Sequence, residues 1–287
     1  MSQSAEELVK QGDVTGALQA LQDKVRSNPA DAKARVFLFQ LLSVLGNWDR
    51  ALTQLNVAAD IDPTTLLMAQ VCRPALQCES FREHVFAGET SPLFLGEPPA
   101  WAGRMVEALK LFATGSAEQA STLRAAALDE ADAIGGTFNG DRFEWMADGD
   151  DRLGPILEIV TEGRYYWVPI QNIARIEIEP PADLRDVVFL PARFVWVNGG
   201  TAVGLIPTRY PGTQSSEDGQ LLLARKTEWV EHADGTYTGL GQRMLVTDSG
   251  EHPLLEARSV VFDTFDEAQR LAEAQLAVGE TQGEGDG

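Results

Sequence analysis

One spacing constrains this chain more than any other feature. Gly12, Ala17, Leu18, Leu21 and Pro29 recur as Gly46, Ala51, Leu52, Leu55 and Pro63, identical residues at a single offset of 34. A unit of that length cannot bury its apolar face alone, so neighbouring units must stack. The residue types fit two helices joined by a tight turn. Gly12 and Gly46 fall at the turn, where the backbone comes close, and Ala17 and Ala51 leave room for a tight helix crossing. Pro29 and Pro63 end the second helix, since proline can neither donate nor continue the spiral. Between the two units, Val36, Leu38, Phe39, Leu41, Leu42 and Leu45 make a helix apolar around most of its circumference, as a helix flanked on both sides requires.

Thirty-four residues is the period of the tetratricopeptide helix-turn-helix repeat, and residues 1–134 are expected to form an α-α array of that kind. Gly115 and Ala120 repeat the Gly-to-Ala spacing of the first two units, 69 residues after Gly46 and close to two periods. The intervening unit, around Ser80 to Val85, lacks both residues and reads as a degenerate repeat. ETSPLFLGEPPAW, Glu89 to Trp101, interrupts the array as a proline-rich loop, and Trp101–Ala113 with Ser116–Ala133 form the last helix pair.

Composition shifts near Gly135. IGGTFNGD is a turn-rich hinge, and the runs beyond it (LEIVTEG, RYYWVPI, IARIEIE, DVVFLPARFVWVNG, TAVGLIPTRY) are rich in Val, Ile and aromatics, with Gly, Asn, Asp and Pro between them. Residues 135–278 are therefore expected to be mainly β, an antiparallel barrel or sandwich, giving an α+β chain of two domains. Thr264 to Glu267 is a capping box that predicts a C-terminal helix, and 279–287 reads as a disordered tail.

Charge narrows the partners. Residues 1–140 carry 11 Lys+Arg against 17 Asp+Glu and residues 141–287 carry 12 against 26, so the halves contribute −6 and −14 to a net −20. Such a field repels phosphate backbones and anionic lipid, so neither nucleic acid nor membrane is an expected partner. No apolar run approaches the roughly 20 residues of a membrane span, and MSQSAEELVKQGD lacks the basic start and apolar stretch of a signal peptide, so a cytoplasmic location is expected. Cys72 and Cys78 lie about 240° apart on a helix at about 100° per residue, which favours two reduced, buried thiols.

Candidate chemistry centres on DGDDRLGP, Asp148 to Pro155. Asp148, Asp150, Asp151 and Glu158 are the acids that a metal-dependent hydrolase would use, but the acid that closes a calcium loop is missing and Arg152 follows at once. Asp with Gly154-Pro155 is turn chemistry, and a structural turn is the favoured reading. His84, His232 and His252 have no metal-ligand spacing, and neither a nucleophile elbow nor a phosphate loop is present. No catalytic residue, metal or cofactor is expected. Arg185, beside Asp183 and Asp186, and Arg209, beside Tyr210, are expected to anchor loops through forked hydrogen bonds. In Tyr165-Tyr166-Trp167 the faces alternate, one towards the core.

FNGDRFEWMADGDDRLGPILEIVTEGRYYWVP, DLRDVVFLPA, IPTRYPG, LLLARKTEW and GLGQRML, with the earlier CRPALQCESFREHVFAG and FLGEPPAWAGRMVEALKLFATG, resemble the ImpE/SciE family across nearly the whole chain. The resemblance implies a non-enzymatic accessory of type VI secretion, associated with the small sheath subunit TssB through that subunit's N-terminal helix and, indirectly, with the sheath-disassembling ATPase ClpV. It implies no catalytic residue. Stacked helix pairs suit a helical peptide, and the junction of the two halves, near Trp101, Phe138 and Trp145, is the expected docking wall.

Overall fold

The computed structural model describes residues 3–266 and 268. Helices α1 (Ala5–Gln11), α2 (Val14–Ser27), α3 (Ala32–Val44) and α4 (Trp48–Ile61) are the two repeat units. Gly12 and Gly46 stand at φ +86° and +68°, left-handed backbone that glycine adopts at little cost, and they turn the chain between paired helices. Ala17 and Ala51 are fully buried at the crossings.

The third unit departs from the expectation. Ser80 to Val85 lie inside one long helix, α5 (Leu66–Phe86), and not at a degenerate turn. With no glycine to take a left-handed φ, nothing breaks the helix before Gly88, at φ +75°. Pro74 sits within α5 without ending it. Helices α6 (Ala100–Ala113) and α7 (Ala117–Glu130) close the array.

The segment expected as a loop contributes a strand as well. β1 (Leu93–Phe94) pairs in parallel with β6 (Arg164–Pro169), Leu93 opposite Tyr166 and Phe94 opposite Trp167. The remaining strands are β2 (Gly136–Phe138), β3 (Asp141–Phe143), β4 (Met146–Asp148), β5 (Ile156–Thr161), β7 (Ile173–Ile178), β8 (Phe189–Trp196), β9 (Thr201–Pro207), β10 (Thr227–Glu231), β11 (Tyr237–Gly241), β12 (Met244–Thr247), β13 (Gly250–Pro253) and β14 (Ser259–Phe262). A nine-stranded mixed sheet runs β1-β6-β5-β9-β8-β7-β14-β2-β3; β13-β12-β4 and the hairpin β10-β11 are separate.

Both faces of the large sheet are covered where it matters for the site. Val160, Trp167, Phe189 and Leu205 share one apolar cluster with Leu21, Phe39, Leu55 and Leu76 of the helices. Leu157, Ile159, Ile176 and Phe194 face the other way, with Met146 of β4 and Leu245 of β12. Every residue of β5 is buried in consequence, and its pattern is a continuous apolar run broken only by Glu158 and Thr161. Cys72 and Cys78 are buried and unpaired. Ala268 N donates to Thr264 O, as a helix start requires; the rest of the expected C-terminal helix and residues 279–287 lie outside the described residues. Among the described residues no helix is long and apolar enough to cross a membrane.

Candidate functional site

DGDDRLGP folds into a closed loop whose carboxylates face inward. Asp148 N donates to Gly154 O at 2.7 Å, with Gly154 at φ +57°, and Ile170 N donates to Pro155 O at 2.9 Å. Asp150, fully buried, accepts from Arg152 N, Nε and Nη2 at 2.9, 2.8 and 2.5 Å and from Gly239 N at 2.9 Å. Asp151 Oδ2 accepts from Tyr237 N at 2.6 Å. Asp148 accepts from Asp150 N at 2.8 Å, and its other oxygen pairs with Arg243.

Behind the loop lies a charge network that joins helix to sheet. Glu158, on β5, accepts from Arg82 Nε and Nη2 of α5 at 2.6 and 2.8 Å, and also from Arg243 and from the Tyr165 hydroxyl. Trp167 Nε1 donates to that hydroxyl at 2.7 Å. Arg82 also donates to Arg209 O at 2.9 Å, and Arg243 Nε to Pro207 O at 3.0 Å. Burial alone would raise the Glu158 carboxyl; Arg82 and then Arg243 outweigh it and hold it at about 2. Burial pushes Asp148 up to about 6, against the pull of Arg243. The acids of this stretch are therefore held by arginines and backbone amides. Among the described residues, no group of three His, Cys, Asp or Glu side chains is placed to hold a metal ion.

Arg209 is buried and caps α3: Nη1 donates to Val44 O and to Leu222 O, each at 2.7 Å, and Nη2 to Ser43 O at 3.3 Å. Ser43 and Val44 lie in the last turn of α3, whose carbonyls have no i+4 amide within the helix. Arg185 pairs with Asp183 at 2.8 Å. Tyr165 and Trp167 face the core while Tyr166 is half-buried between them. His84 pairs with Glu89, and His232 and His252 bond Thr238 and Thr247. Arg82 and Arg243 carry no mark in the sequence as site residues; the Glu79-to-Arg82 spacing on α5 is the one local hint, and its contact at 3.3 Å is the longest of the ion pairs in this network.

Trp101, Phe138 and Trp145 do not meet in one wall. Trp101 is buried with the helices and donates to Gln171 Oε1 at 3.2 Å. Phe138 belongs to the opposite cluster, stacked on His252 at 4.4 Å, and Trp145 is 39% exposed. The open apolar surface lies elsewhere. A groove of about 710 Å³ runs between α5 and the sheet, with Leu67, Val71 and Pro74 on the helix wall and Pro191, Val203 and Leu205 on the strands. Leu67 and Val203 are 74% and 70% exposed, large values for aliphatic side chains that line one groove.

A short helical repeat array docked on a mixed sheet, with its buried guanidinium groups hydrogen-bonded internally and an aliphatic groove left open, defines a scaffold of the protein-interaction kind. Residues 140–261 match the ImpE protein family and residues 8–71 a tetratricopeptide repeat family. The chain is 44% identical over 262 residues to the type VI secretion system accessory component TagJ of Pseudomonas aeruginosa, covering 91% of this chain and 92% of that one. The crystal structure of a Vibrio parahaemolyticus protein superposes with a TM-score of 0.82 at 26% identity, over 90% of this chain and 97% of the other. The chain belongs to the ImpE family.

Proposed function

We propose that this chain is a non-catalytic, cytoplasmic accessory component of a type VI secretion system, which binds the small sheath subunit TssB by its N-terminal helix and thereby links the sheath to disassembly by ClpV. The observation that carries the reading is the groove between α5 and β9: exposed leucine and valine in a concave surface are what a helix-in-groove interaction uses. The likeness to the type VI secretion accessory component of Pseudomonas aeruginosa supports the setting. Titration calorimetry of the purified chain with TssB should give saturable binding, and TssB lacking its first helix should give none. Equal binding of both forms, or of neither, would overturn the reading.

A further inference from the structure

The groove has two properties that narrow its occupant. Its helix wall presents Leu67, Val71 and Pro74 at i, i+4 and i+7, a stripe about 10 Å long at 1.5 Å per residue and the spacing on which helix-in-groove contacts are built. That length matches two to three turns of a partner helix.

The rim supplies a charge. Glu162 and Gly163 form the two-residue turn between β5 and β6, at φ +51° and +73°. Turns of this shape favour Asn or Gly at the first position, and a glutamate held there works against its backbone preference. Glu162 is exposed, borders the groove and has no ion pair among the described residues. Arg185, the cation on the same rim, is already paired with Asp183. The rim therefore presents one uncompensated carboxylate on a chain whose net charge is −20.

Resting on the helix-binding reading above, we infer that the α5–β9 groove is the seat for an amphipathic helix of two to three turns, bearing an aliphatic i, i+3/i+4, i+7 stripe and a flanking lysine or arginine that pairs with Glu162. The aliphatic stripe provides the affinity and Glu162 the choice between helices of opposite flanking charge.

The test uses the full chain, three peptides and anisotropy titrations. Two designed helices share the aliphatic stripe and carry lysines or glutamates on its flanks; the third peptide is the first helix of TssB. The lysine-flanked helix should bind more tightly than the glutamate-flanked one, and Leu67→Glu or Val203→Glu should weaken it at least tenfold, since a carboxylate would enter an apolar contact. Glu162→Lys should weaken the lysine-flanked helix and strengthen the glutamate-flanked one, each by about two- to fivefold, as an exposed ion pair allows. Because all three positions are exposed, unchanged thermal melts will separate lost binding from lost folding. If the designed helix binds as described and the TssB peptide does not, the seat stands and the assigned partner falls. If the TssB peptide binds but is indifferent to Leu67→Glu and Val203→Glu, the partner stands and the seat is overturned. Binding of no helix overturns both. A concentration-dependent dimer of the wild type that Leu67→Glu dissociates would give the groove to a second copy of the chain and overturn the inference.

Discussion

Glu158→Gln is expected to destabilise the protein by about 3–5 kcal/mol, the cost typical of removing one partner of a buried ion network. The substitution keeps the shape but leaves Arg82 and Arg243, both buried, facing a neutral amide. Asp148 and Glu79 stay as the remaining acids, and neither sits between the two guanidinium groups. Urea unfolding should show a lower midpoint with an unchanged slope. The pH dependence carries a second signature. Held at about 2 in the folded chain, below the ordinary 4.5, Glu158 contributes stability that is fully present above its unfolded value and is lost as pH falls through the folded one. Wild type should therefore lose roughly 3 kcal/mol from this group between pH 4.5 and 2, and Glu158→Gln should lack that limb. Asp148 acts in the opposite sense. Raised from 3.8 to about 6, it favours the folded state most below 3.8, and that contribution is lost as pH rises from there through 6, a slope that Asp148→Asn should remove. A Glu158→Gln protein as stable as wild type at pH 7 would mean that the network is not what ties α5 to the sheet.

The second large effect is steric. Ala51→Trp should cost more than about 3 kcal/mol, the upper part of the overpacking range, and lower the melting temperature by roughly 10 °C. Ala51 has no exposed surface, and α4 packs along α3 at this point, so an indole has no volume to occupy. Ala17→Trp should act alike at the α1–α2 crossing. The two halves should be lost together. Phe39 and Leu55 of the helices share their cluster with Trp167 and Phe189 of the sheet, and Arg209 caps α3 from the sheet side. Far-ultraviolet helix signal and near-ultraviolet tryptophan signal should therefore fall in one transition. Loss of helix with the sheet signal intact would show two independent units, and unchanged melting would place the crossing elsewhere.

The repeat was legible because it is local. A 34-residue identity pattern, glycine at the turns and alanine at the crossings describe contacts between residues close in sequence, and α1 to α4 follow it. It failed at Ser80 to Val85, where the missing glycine meant a continuous helix and not a weakened turn. The acidic stretch is legible as a turn, since Asp, Gly and Pro in that order are turn chemistry whatever surrounds them, and residues 149–154 form turns and bends. Its partners were not legible. Arg82 and Arg243 lie 76 and 85 positions from Glu158, and nothing in their neighbourhoods marks a buried arginine. The proline-rich stretch hid β1, because two residues on a sheet edge leave no period to detect.

Turn residues, repeat length and the change from helical to strand-like runs determined by themselves that a stacked helical array precedes a mainly β half, because each depends on backbone preference and on side chains a few positions apart. Only the tertiary structure decided which charges are buried together, that Trp101 and Phe138 belong to separate cores, and that α5 and β9 leave an aliphatic groove between them. Those outcomes depend on how distant segments exclude water from one another, and burial of that kind has no signature in any single window of the chain.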